Sequence, residues 1–116
     1  MEETFKALAE ALMADAISDS TKRSYDEAYK KWEKFTEEYG FEALPARAKH
    51  VVWYLAFLSV NDASYEAAKT AVAAISDRHV RGFAEDPCSH ASVKRALCGF
   101  KRRTATAGTK QVRPLT

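Results

Sequence analysis

The chain has 116 residues, of which 47% are hydrophobic and 29% charged, with a net charge of +2 and only four glycines and three prolines. That length suits one domain able to bury its own core, and the composition favours helices over strands. The longest apolar run, Val51 to Leu58, falls well short of the ~20 residues a membrane-spanning helix needs.

In chain order, the acidic start MEETFKALAEALM lacks the basic region that opens a secretory signal. It predicts an amphipathic helix from about Glu3 to Ala16, with Phe5, Leu8, Leu12 and Met13 on one stripe. The stretch STKRSY follows, and Asp19 or Ser20 is expected to cap a longer second helix there. Its apolar positions Tyr25, Ala28, Trp32, Phe35 and Tyr39 step by three and four, and Gly40 stands where a left-handed C-cap is wanted.

Pro45 marks a connection, after which VVWYLAFL is apolar nearly all round and predicts a third helix surrounded by the others. Ser64 should cap a fourth helix with Ala68, Val72, Ile75 and His79 inward and Gly82 at its end. Its other side is small (Ala67, Thr70, Ala71 and Ala74), which permits a close approach to another helix or to a DNA groove. Beyond Pro87, Ser89 or His90 opens a fifth helix to about Arg103, with Val93, Leu97 and Phe100 facing inward. The expectation is an all-α bundle of about five helices over 1–103, then a basic linker over 104–116.

Two cysteines do not build a disulfide framework, and a reducing, intracellular setting is expected. Cys88, His90, Cys98 and His79 do not follow the paired spacing of a zinc site, so no metal and no cofactor is expected. Charge is distributed unevenly. Residues 1–62 hold eight Lys/Arg against twelve Asp/Glu, whereas residues 63–116 hold ten against four. After Asp86 there is no acid at all, and Lys94, Arg95, Lys101, Arg102, Arg103, Lys110 and Arg113 follow. A polyanion partner is the natural reading.

The order SDSTKRSYDEAYKKWEKF, LPARAKHVVWYLAFL, the Ser64-capped helix with AVAAI, DPCSHASVKRALCGFKR and the closing RPLT resembles a known pattern. It is similar to the N-terminal core-binding, SAM-like domain of phage integrases and other tyrosine recombinases, over about Ser18 to Thr116. The resemblance implies double-stranded DNA binding in DNA recombination and integration, with the second and fourth helices against the major groove. It puts contacts on Thr21, Arg23 and Ser24 of the second helix. On the fourth helix they fall near Ser64, Glu66, Ala67, Lys69, Thr70 and Ala71. Glu66 and the alanines depart from the polar or basic residues often found there, which bears on base reading more than on backbone binding. It also implies a neighbouring protomer against the fifth helix, and a cellular setting at a nucleus or nucleoid.

Physical chemistry adds to this. A helix N-terminus attracts anions, and Thr21, Lys22 and Arg23 would supplement it with a hydroxyl and two charges. Lys69 has the chemistry to bond guanine O6 or N7. Lys101, Arg102, Arg103, Lys110 and Arg113 suit phosphate tracking. The recombinase nucleophile and its Arg, Lys and His partners would belong to a following catalytic domain, so the chain itself is not expected to be an enzyme. The alternative is a helical protein-interaction module that no longer touches DNA, which Glu66 and the alanine-rich face of the fourth helix favour.

Overall fold

The computed structural model describes residues 1–110, and their side chains as far as Ala105. Among the described residues there are five α-helices, one 3-10 turn and no strand, as the composition implies. They are α1 (Glu2–Ala14), α2 (Asp19–Tyr39), α3 (Ala48–Val60), α4 (Tyr65–Arg81) and α5 (Ala91–Lys110), with the 3-10 turn at Pro87–Ser89. The fifth helix therefore continues past Arg103, into the segment expected to be linker. The residues there, Thr104 to Lys110, include no proline to stop it.

Helix α2 packs along α4, and α3 along α5. Trp32, Val51, Ile75 and Val93 are fully buried at the centre, with Tyr29, Phe35 and Tyr54 around them. A second cluster, Leu55, Ala68 and Phe100, closes the end where α4 begins. Ala71 and Ala74 are buried as well, so part of the small face of α4 serves helix packing. Ala67 and Thr70 remain nearer the surface.

Three helices end in the same way, with a left-handed residue followed by an N–H that bonds back five residues. Gly40 (φ 74°) precedes Phe41 N–H to Thr36 O at 2.8 Å, as the glycine predicted. Asp62 (φ 58°) precedes Ala63 N–H to Leu58 O at 3.0 Å. At the end of α4 the left-handed residue is Phe83 (φ 59°), not Gly82, and Ala84 N–H reaches His79 O at 2.9 Å. The glycine stands one place too early, because the helix runs through Arg81 and Gly82 itself keeps a φ of −88°.

Two further expectations change. Helix α3 is not surrounded: Val51, Tyr54 and Leu55 are buried, but Trp53, Phe57 and Val60 are exposed. Its outer face lacks a fourth neighbour because the other helices pair off around one side only. Helix α1 forms, yet buries no residue, and Phe5, Leu8 and Leu12 face outward.

His79 ties the connection between α2 and α3 to α4. Fully buried, it donates from Nδ1 to Ile75 O at 2.7 Å and accepts at Nε2 from the Ala46 N–H at 2.8 Å. That pair of partners defines the neutral tautomer with the proton on Nδ1.

Candidate nucleic-acid interface

The second helix is capped by Ser18, not by Asp19 or Ser20. Ser18 Oγ accepts from Thr21 N–H at 3.2 Å and donates to Thr21 Oγ1 at 2.9 Å. Its extended backbone (φ −71°, ψ 162°) lets one hydroxyl serve both roles, and this places the cap one residue before the two expected candidates. The shift matters for the site. Asp19 now occupies the first turn, so the helix dipole is already met by a carboxylate. Lys22 and Arg23 fall in the second turn.

These two cations part company. Lys22 lies 3.9 Å from Asp19 and lines a recess with Tyr25, Asp26, Asp77 and Arg81. Ser24 lines a different groove, between α2 and α4, with Lys31, Glu66 and Thr70. Thr21 is half-buried in the capping network, while Arg23 is exposed and forms no ion pair among the described residues. The single phosphate seat expected from Thr21, Lys22 and Arg23 is thus split by the helix itself, since neighbours in sequence point about 100° apart.

The α2–α4 groove holds about 320 Å³ and is bordered by residues of both helices. Ser24, Lys31 and Thr70 offer hydrogen-bond donors, and Ala67 and Ala71 keep its α4 wall low. Glu27 and Glu66 also line it. The two carboxylates oppose an anion in its depth, so donors there would act beside charges of the wrong sign.

A cluster at the beginning of α4 is more favourable. Ser64 caps the helix by accepting from Ala67 N–H at 3.1 Å. The next residue, Tyr65, holds Lys69 and Lys101 over its ring, with their Nζ atoms 5.5 and 5.6 Å from the centroid. Lys69 also pairs with Glu66 at 3.6 Å across the surface of the helix. The ring thereby joins a cation from α4 to one from α5. Sequence reasoning named both lysines but not Tyr65, whose spacing reads as ordinary surface. The signal available was the i, i+4 relation of Tyr65 to Lys69; the α5 partner was not legible.

From this cluster α5 continues as an acid-free helix in which Lys101, Arg102 and Arg103 are exposed. Arg103 lines a separate groove between α3 and α5. The side chain of Lys110 and all of Arg113 lie outside the described residues. Near the other end of α4, Arg78 bonds Asp26 at 3.0 Å and covers the ring of Tyr29 at 4.4 Å, which occupies it structurally.

Among the described residues no group of three or more His, Cys, Asp or Glu is placed to hold a metal ion. Cys88 is buried, with its thiol 3.5 Å from Val72 O, while Cys98 is exposed on α5. Burial, then the charge and hydrogen bond of Asp86, push the Cys88 thiol up to about 12. No described helix is long and apolar enough to cross a membrane. No protein-family model and no curated protein matches the chain.

Proposed function

We propose that this chain is a double-stranded DNA-binding domain of the core-binding type found in tyrosine recombinases. It would clamp one face of a duplex. The observation that carries the reading is the meeting of Lys69 and Lys101 over Tyr65, beside the first turn of α4. Two cations gathered at one ring leave a net positive site, and a phosphate beside it would gain charge-assisted hydrogen bonds. The acid-free α5 extends the positive surface from that point.

In this proposal the chain acts by binding, and any strand exchange would depend on a catalytic domain elsewhere. The edge of the α2–α4 groove meets the duplex through Ser24 and Thr70. Ser64 acts as the cap that fixes Lys69, and Arg23 reaches a phosphate from the second turn of α2. Lys101, Arg102 and Arg103 follow the backbone. Thr21 and Lys22 have smaller parts than the sequence implied, because the capping network and Asp19 already engage them.

The test is fluorescence anisotropy with a random ~25-bp duplex across a salt series, since each phosphate contact releases counterions. Affinity falling log-linearly with salt is the expected result. Absence of binding at low salt, with the protein in the range of tens of micromolar, would overturn the proposal.

The second reading, a protein-interaction module, has its own support. Tyr39, Trp53 and Phe57 form an exposed aromatic edge. Glu27 and Glu66 meanwhile make the α2–α4 groove less hospitable to DNA.

A further inference from the structure

The α2–α4 groove contains a polar group that the rest of the chain leaves unpartnered. Tyr54 lines it at only 3% exposure, its ring packed on Trp32 and Phe35. The Tyr54 hydroxyl makes no hydrogen bond among the described residues. Nor is it walled in, for His50 Nδ1 is the one fully enclosed side-chain nitrogen or oxygen without a partner among those residues. The hydroxyl therefore meets solvent, and it does so where Tyr54 lines the groove. Polar groups at such depth are normally bonded, so an open one at the base of a groove is a point for a ligand atom to bond.

The rest of the lining sets the charge and size of that ligand. Glu27 from α2 and Glu66 from α4 border the groove, against Lys31 as the only cation among the described lining residues. Lys31 forms an ion pair with neither carboxylate, and Lys69, which pairs with Glu66, is not part of the lining. Two acids against one base leave the lining net negative. Ala28, Leu58, Ala67 and Ala71 make its remaining surface mostly apolar. A space of about 320 Å³ is at the small end for a ligand pocket.

We infer that this groove binds a small organic cation, an alkylammonium or alkylguanidinium with about four carbons, without any need for DNA. Its N–H groups donate to the Tyr54 hydroxyl oxygen and to the Glu27 and Glu66 carboxylates. Its methylenes cover the alanines. An anion of the same size meets two carboxylates, and a neutral alcohol leaves them unpaired. The two acids that make the groove inhospitable to a phosphate are here the groups that recognise the ligand.

Amide NMR spectra of the full chain, titrated with butylammonium chloride at constant ionic strength and without DNA, read the outcome. Shifts should saturate in the low millimolar range and concentrate at Ala28, Ala67 and Ala71. Butyrate and n-butanol should each bind about fivefold more weakly or worse. Glu27→Gln, Glu66→Gln and Tyr54→Phe should each weaken butylammonium by about threefold. Because its hydroxyl has no partner in the chain, Tyr54→Phe should also leave the urea midpoint unchanged or higher. No saturable shift by about 50 mM, equal affinity for n-butanol, or unchanged affinity in the three variants would each overturn the inference. A lowered midpoint in Tyr54→Phe would overturn it as well, by showing that the hydroxyl is already engaged. None of these results depends on whether the chain binds DNA.

Discussion

Lys69 and Lys101, 32 residues apart in sequence, both stand over the Tyr65 ring, at 5.5 and 5.6 Å from its centroid. The ring attracts each ammonium group, and Glu66 neutralises part of the charge on Lys69. Among the described residues Lys101 pairs with no carboxylate. If the cluster grips phosphate, Lys69→Gln and Lys101→Gln should each weaken duplex binding several-fold and lower the salt slope by about 1. Lys49, which lies over Trp53 on α3, serves as the comparison. An equal loss in Lys49→Gln would mean that the cluster has no special part.

His79 makes a different kind of prediction. Its two ring nitrogens satisfy Ile75 O and the Ala46 N–H inside a site closed to water. His79→Ala leaves the Ala46 N–H without its acceptor and opens a cavity, while Ile75 O keeps its helical bond. It should therefore cost about 2–4 kcal/mol in urea unfolding. A loss under about 1 kcal/mol would show that the α2–α3 connection is held by other contacts.

Alkali should weaken the fold through two buried acids. Burial pushes the Tyr54 hydroxyl, like the Cys88 thiol, up to about 12. Both groups hold their protons more tightly when folded than when unfolded, where the reference values are 10.0 and 9.0. Their contribution is intact below pH 9.0 and is lost as pH rises toward about 12. Thermal melts over that range should show a falling Tm. At pH 8 a thiol reagent should label one cysteine per native chain, Cys98, and two after denaturation.

Phe83 offers a stabilising substitution. It is 80% exposed and sits at φ 59°, so its side chain brings little burial to a conformation that disfavours a Cβ. Phe83→Gly should raise stability by up to about 1 kcal/mol, after the added freedom of the unfolded chain is counted. Urea midpoints compare the two proteins directly, and a lower midpoint would place Phe83 in a contact that matters.

The reach of sequence reasoning differs from element to element. The steps of three and four in α2 identified Trp32 and Phe35 as core, and the Gly40 and Ser64 caps were legible because local hydrogen bonds decide them. At the start of α2 the same local logic weighed Asp19 and Ser20 and passed over Ser18, because it lacked the backbone angles that decide the cap. Helix α3 was read as enclosed because composition reports apolar character but not how many neighbours exist to cover it. The stripe on α1 was legible as a stripe, whereas its bareness depends on where the remaining helices go. The basic residues were legible as a set of charges; their partition between Asp19, Tyr65 and open solvent is a tertiary fact.

The two tryptophans of this chain occupy opposite environments. Trp32 is sealed at 0% exposure with its indole N–H on Ala43 O at 3.1 Å, and Trp53 is 48% exposed on the outer face of α3. Native emission should accordingly be the sum of a blue-shifted component and a red-shifted one. A soluble quencher would extinguish only the second. Anything that settles on the aromatic edge of α3 would protect Trp53 and leave Trp32 unchanged, while unfolding would expose both. The molecule thus carries an intrinsic pair of optical probes that separates surface occupancy from loss of structure, with no label attached.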